Sequence, residues 1–114
     1  MTIDQLIEQV KTAPDTVEFK SVIETIEQNY QFAPTAFSNG SVENTADTNQ
    51  GSCKIFAFAK LNGLTQEQTL PLFGQFYFDD VLKHPEAENH ANIREFMKTG
   101  WNGVSFKGTP LTKN

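Results

Sequence analysis

Apolar residues recur at helical spacing through the first quarter of the chain. Ile3, Leu6, Ile7 and Val10 fall on one face of a helix that Thr2 opens, with Asp4 at its positive end. Ala13-Pro14 breaks the pattern. Asp15 followed three residues on by Glu18 has the spacing of a capping box. Phe19, Val22, Ile23, Ile26 and Tyr30 then form the clearest amphipathic stripe in the chain. Polar outer faces on both segments predict an antiparallel helix pair packed on a third element.

That third element is the stretch from Asn49 to Leu61, Asn-Gln-Gly-Ser-Cys-Lys-Ile-Phe-Ala-Phe-Ala-Lys-Leu. Only Lys54 and Lys60 interrupt its apolar surface. A helix that is apolar all round belongs in the core. Ser52 is a good N-cap type, and Asn62-Gly63 is a stop signal. A buried strand is the competing reading of Ile55 to Ala59, but the length and the stop favour a helix.

Around this helix the pattern predicts short strands and further helices. Pro34 ends the second helix, Thr35 to Ser38 suits a strand, Asn39-Gly40 is a hairpin turn and Ser41 to Glu43 returns. Asn44 to Gln50 is polar and reads as an exposed loop leading into the Cys53 turn. Thr65 and Gln68 form a second capping box. Leu70, Phe73, Tyr77 and Val81 are spaced for one helix face, with Pro71 kinking that helix or marking its start. Phe76-Tyr77-Phe78 covers more than half the helix circumference, so at least one ring must reach a second surface. Pro85 closes the segment. Asn89 is placed to cap a last helix, with Ile93, Phe96 and Met97 inside and Gly100 at its end. Val104 and Phe106 alternate with polar residues and can add a third strand to the hairpin. The tail from Thr109 reads as loosely held. The fold class is α+β and mostly helical: about five helices around the buried Cys53 helix, with a small antiparallel sheet.

Composition narrows the class. The chain has 114 residues, read as a single domain over 1–114, and ten of them are Phe. The net charge of −5 disfavours nucleic acid and anionic membranes as partners. A single cysteine precludes an internal disulfide and fits a reducing cytoplasm. No apolar stretch is long enough to span a bilayer, and no basic-then-apolar leader opens the chain. Without such a leader, the Asn39-Gly40-Ser41 sequon carries no meaning.

Three constellations carry possible chemistry. A thiolate at the start of a helix is stabilised by free amides, so Cys53 is a candidate nucleophile, with Lys54 adding positive charge. His90 or His84 would be the base, oriented by Asn89, Asn92 or Asp80. Against this, a free cysteine is among the most often buried residues. Asp80 and His84, with Asp79, Glu86, Glu88 and His90 nearby, have metal-ligand types, although a solvated helix end explains them equally. His90 also suits a hydrogen bond to the Asn39 or Asn49 loop, tying the two halves of the chain together. Arg94 is the one arginine, which suggests a fixed bidentate contact, through a pair with an acidic group or a grip on a ligand anion. Gly103 to Thr109 has P-loop glycine spacing but lacks the lysine and the strand-to-helix turn, and is rejected.

Several segments together carry a family resemblance. They are Phe32 to Gly40, Gly51 to Ala59, Gln68-Thr69-Leu70 with Phe73-Gly74, Asp80-Val81-Leu82 with Pro85, His90 to Met97, and Gly100-Trp101. Over nearly its whole length the chain resembles the HopJ type III effector family. The resemblance implies a protein that a bacterial type III secretion system injects into a host cell. It brings no reaction and no catalytic residue.

The leading expectation is therefore a small effector-like interaction protein without catalytic activity, without cofactor or metal, whose partner is a host or bacterial protein. Its site is expected between the 44–50 loop and the 89–94 segment, with Asn49, Ser52, Lys54, Asn92 and Arg94 as contact residues. A cysteine enzyme built on Cys53 with His90 or His84 is the second reading. A metal or small-molecule module built on Asp80, His84 and His90 is the third.

Overall fold

The computed structural model describes residues 1–114. Thr2 caps α1 (Ile3–Thr12) through a reciprocal box in which its hydroxyl accepts from the Gln5 amide at 3.1 Å and the Gln5 side chain accepts from the Thr2 amide at 2.9 Å. Pro14–Thr16 makes one 3₁₀ turn. Helix α2 (Phe19–Asn29) starts at Glu18 with no side-chain cap. The Asp15–Glu18 box expected from spacing therefore does not form. Pro14 locks its own φ and draws Asp15 into the preceding turn, out of register with α2.

Strand β1 (Tyr30–Phe32) continues α2 directly. Strands β2 (Phe37–Asn39) and β3 (Val42–Asn44) form the predicted hairpin one residue later than the spacing put it: Asn39 ends β2 opposite Val42, the turn is Gly40-Ser41, and Gly40 has φ +58°. Helix α3 (Gln50–Leu61) follows. Residues Ile55 to Ala59 are consecutively buried, as an all-apolar helix requires. The Phe56 ring meets Phe37, Phe73, Phe96 and Trp101 with centroids 4.9–6.3 Å apart, so one side chain joins the hairpin, two connecting segments and the last helix.

The segment after α3 departs from the expected single helix. Its capping box at Thr65 and Gln68 forms and opens the short α4 (Gln66–Thr69). Pro71 then starts a 3₁₀ turn over Leu70–Phe73, and the chain reverses at Gly74, φ +58°. A side chain at Gly74 would place its Cβ 2.6 Å from the Phe19 backbone nitrogen. Glycine is thus needed both for its backbone angle and for the close approach to α2. Phe76–Val81 forms a π-helical turn, whose wider coil places Phe76, Tyr77 and Phe78 at half-buried positions. Periodicity at 3.6 residues cannot anticipate that geometry.

Helix α5 (Ala91–Thr99) ends at Gly100, and Gly100–Gly103 turns into β4 (Val104–Phe106). Met97, expected inside, is 38% exposed. Strand β4 pairs antiparallel with β2 to give the predicted three-stranded sheet in the order β3-β2-β4. The tail is a correction: β5 (Leu111–Lys113) pairs antiparallel with β1, and Leu111 is buried. A lone apolar residue among polar ones gave no strand period, yet it anchors a second, two-stranded sheet.

Candidate functional site

Two helices begin at the same place. Asn49 precedes α3 at φ 50°, and His90 precedes α5 at φ 54°. They are the only non-glycine residues with positive φ, and neither helix has a side-chain cap. The left-handed geometry bends each chain sharply into its helix, at a cost that surrounding contacts must offset. The first amides of α3 at Gly51 and Ser52, and those of α5 at Ala91, Asn92 and Ile93, accordingly have no acceptor in the protein. Both ends line one cavity of about 330 Å³ together with Phe19, Phe73 and Phe76.

The cavity's polar wall rests on an asparagine network. Asn92 is buried, and its side-chain oxygen accepts from Asn39 Nδ2 at 3.1 Å and from Asn44 Nδ2 at 3.2 Å. Its own amide donates to Asn44 Oδ1 at 2.9 Å, where Asn49 Nδ2 also donates at 2.8 Å. Asn39 Nδ2 further donates to the Asn92 carbonyl at 2.8 Å. The network thus fastens the start of α5 to the hairpin and to the residue that opens α3. Asn39 Oδ1 is the one buried side-chain polar atom left without a partner.

His90 does not bond the Asn39 or Asn49 loop; it meets Asp80, one of the partners expected to orient it. Its Nε2 lies 2.9 Å from Asp80 Oδ2 on the π turn, and its ring sits 5.2 Å from the Phe76 ring. It therefore ties α5 to the π turn, and Asn92 makes the cross-chain link to the Asn39 and Asn49 segments. Asp80 and His90 meet, but no group of three His, Cys, Asp or Glu side chains is assembled that could hold a metal.

Cys53 lies just beyond the free end of α3. Its amide donates to the Asn49 carbonyl at 3.1 Å, so it is already inside the helical ladder, because the helix starts at Gln50 and Ser52 is not its cap. Gln50 explains the earlier start: its side chain accepts from the Thr35 amide at 3.1 Å and donates to the Thr48 carbonyl at 2.7 Å. The Cys53 side chain is fully buried, with Sγ 3.6 Å from the Thr35 carbonyl. Burial pushes its pKa up to about 11, against weaker opposing effects from Lys54 and the Thr35 contact. At neutral pH the group is a thiol, and it does not line the cavity.

Of the residues anticipated from sequence, Asn49, Ser52, His90 and Asn92 line the cavity. Lys54 and Arg94 do not. Lys54 pairs with Glu27 at 3.0 Å and lies 4.7 Å from the centre of the Phe32 ring, joining α3 to α2 and β1. Arg94 is fixed, as expected of a lone arginine, but by four carbonyl oxygens and not by a bidentate pair with an acidic group. It donates to the Asn89 carbonyl at 2.6 Å, to Asn89 Oδ1 at 2.8 Å, and to the carbonyls of Asp80 and Pro85 at 3.3 and 3.4 Å. Asn89 is thereby an acceptor for Arg94 and not the cap of α5. Sequence reasoning missed the aromatic wall and the asparagine network. One signal for the network was present: Asn92 stands four residues before Phe96, on the face that carries the core.

The family model for the HopJ type III effector protein matches residues 3–111. This chain belongs to the HopJ type III effector protein family. The crystal structure of a protein of unknown function, VPA0580, superposes with a TM-score of 0.97 at 48% identity, over 100% of this chain and 95% of that one. None of the curated proteins matches the chain. Membership agrees with the α+β, mostly helical fold. No helix of this HopJ-family chain is long and apolar enough to cross a membrane.

Proposed function

We propose that the chain is an effector-like binding protein that acts by protein–protein contact through the cavity between the starts of α3 and α5. The observation that carries this reading is the make-up of the site. Two helix ends with free amides and three phenylalanines line the same cavity, and the only thiol is buried outside the lining. Such a wall suits a partner side chain with an apolar body and a hydrogen-bond-accepting end. The acidic surface supports a protein partner over nucleic acid. Family membership supports delivery into a host cell by a type III system, and thus a host protein as the partner.

Photocrosslinking tests this. A crosslinking amino acid is placed at Phe76 or Ser52 on the cavity, and at exposed Lys11 as a control. The proposal expects one discrete partner adduct from the cavity positions only, retained in Cys53→Ala. Adducts that appear equally from position 11, or that vanish in Cys53→Ala, overturn it; the second outcome restores the cysteine-enzyme reading.

A further inference from the structure

Helix α5 has a second face, away from the cavity. There Arg94, Met97 and Lys98 line a groove of about 420 Å³ with Val81, Leu82 and Pro85 from the end of the π turn and the loop beyond it. Three observations converge on it. Leu82 and Met97, 45% and 38% exposed, are two of the four exposed large hydrophobic residues of the chain. No carboxylate lines the groove, although acids outnumber bases 14 to 9 overall. Neither cation is paired with a carboxylate: Arg94 donates only to carbonyl oxygens, and Lys98 forms no salt bridge, although its charge acts on Glu95. Glu95, one turn away, is committed to the Ser41 amide and hydroxyl at 2.8 and 3.1 Å.

From this charge pattern we infer that the groove is a docking site for an acidic segment of a partner protein carrying leucine- or phenylalanine-type anchors. Apolar anchors would cover Leu82 and Met97, while flanking carboxylates meet Lys98 and the guanidinium of Arg94. The unbranched Met97 side chain adapts to the anchor's shape. The four Arg94 bonds already hold the loop against α5, so little ordering is left for binding to impose. The surface is separate from the cavity, and its use does not depend on the reading given for that site.

The test uses the full chain and a fluorescein-labelled acidic peptide with leucine and phenylalanine at helical spacing, read by anisotropy. Binding is expected that weakens as salt rises, and falls by at least about tenfold in Lys98→Glu and in Leu82→Ser. Phe76→Ser, on the cavity, is expected to leave it unchanged. Amide shifts in the unsubstituted protein are expected at Leu82, Met97 and Lys98, which needs no variant to fold. Absence of binding, equal binding by Lys98→Glu, or shifts confined to other surfaces overturns the inference. So does binding to phosphatidylserine vesicles in place of the peptide, which would identify a membrane-facing patch.

Discussion

Replacing Asn92 with alanine should cost more than replacing Asn39, its partner on the hairpin. Three side-chain hydrogen bonds disappear, at 3.1, 3.2 and 2.9 Å. Each is worth about 1 kcal/mol net, and a buried partner left poorly satisfied adds to that. The remaining contacts limit the damage. Asn39 Nδ2 keeps the Asn92 carbonyl, and Asn44 Oδ1 keeps Asn49 Nδ2. Asn44 Nδ2 is left with only the Phe37 carbonyl at 3.3 Å. The expected loss is about 2–4 kcal/mol. Asn39→Ala makes a useful contrast. It removes two bonds but also removes Oδ1, which is buried without a partner. Its expected cost is about 1 kcal/mol, because deleting a desolvated acceptor recovers part of the loss. Urea unfolding followed by circular dichroism measures both. A cost for Asn92→Ala at or below that for Asn39→Ala would show that the network does not hold α5 to the hairpin.

Three further outcomes follow from the geometry. Alkylation of Cys53 in native protein should be slow at neutral pH, where about one thiol in ten thousand is ionised, and should become fast on denaturation; rapid native labelling with a midpoint below pH 8.5 contradicts the packing. Leu111→Ala should destabilise by about 2–4 kcal/mol and expose β1 to amide exchange, because it removes the buried anchor of β5; an unchanged urea midpoint would mean the tail contributes nothing. The Ser41 amide beside Glu95 holds its carboxyl below the usual 4.5. That contribution is present above the ordinary carboxylate value and is lost as pH falls through the lowered one. The stability advantage over Glu95→Gln should therefore shrink on acidification, and an advantage that grows on acidification refutes the assignment.

The sequence made the core legible wherever apolar spacing alone decides structure. The run from Ile55 to Ala59 suited a buried strand as well, but its length and the Asn62-Gly63 stop favoured a central helix, which it is. The hairpin was legible because Gly40 supplies the positive φ of a tight turn, although the turn is Gly40-Ser41 and Asn39 ends β2 opposite Val42. What spacing could not show was set by individual tertiary contacts. Ser52 looks like a cap, yet the Gln50 side chain reaches the Thr35 and Thr48 backbone and moves the helix start back to Gln50. The run from Leu70 to Val81 has helical period, yet Gly74 is drawn against the Phe19 backbone and splits it. The place of the site was readable because two polar segments, 44–50 and 89–94, each lead into an apolar helix. Its walls were not, since Phe19, Phe73 and Phe76 are indistinguishable in sequence from the other phenylalanines of the core.

The account turns on whether the cavity between α3 and α5 binds a partner without using the thiol. Titration calorimetry of the crosslinked partner against three chains measures this: the natural sequence, Cys53→Ala and Phe76→Ser. The account predicts unchanged affinity for Cys53→Ala and at least about tenfold weaker binding for Phe76→Ser. Binding abolished by Cys53→Ala, or indifferent to Phe76→Ser, would contradict it.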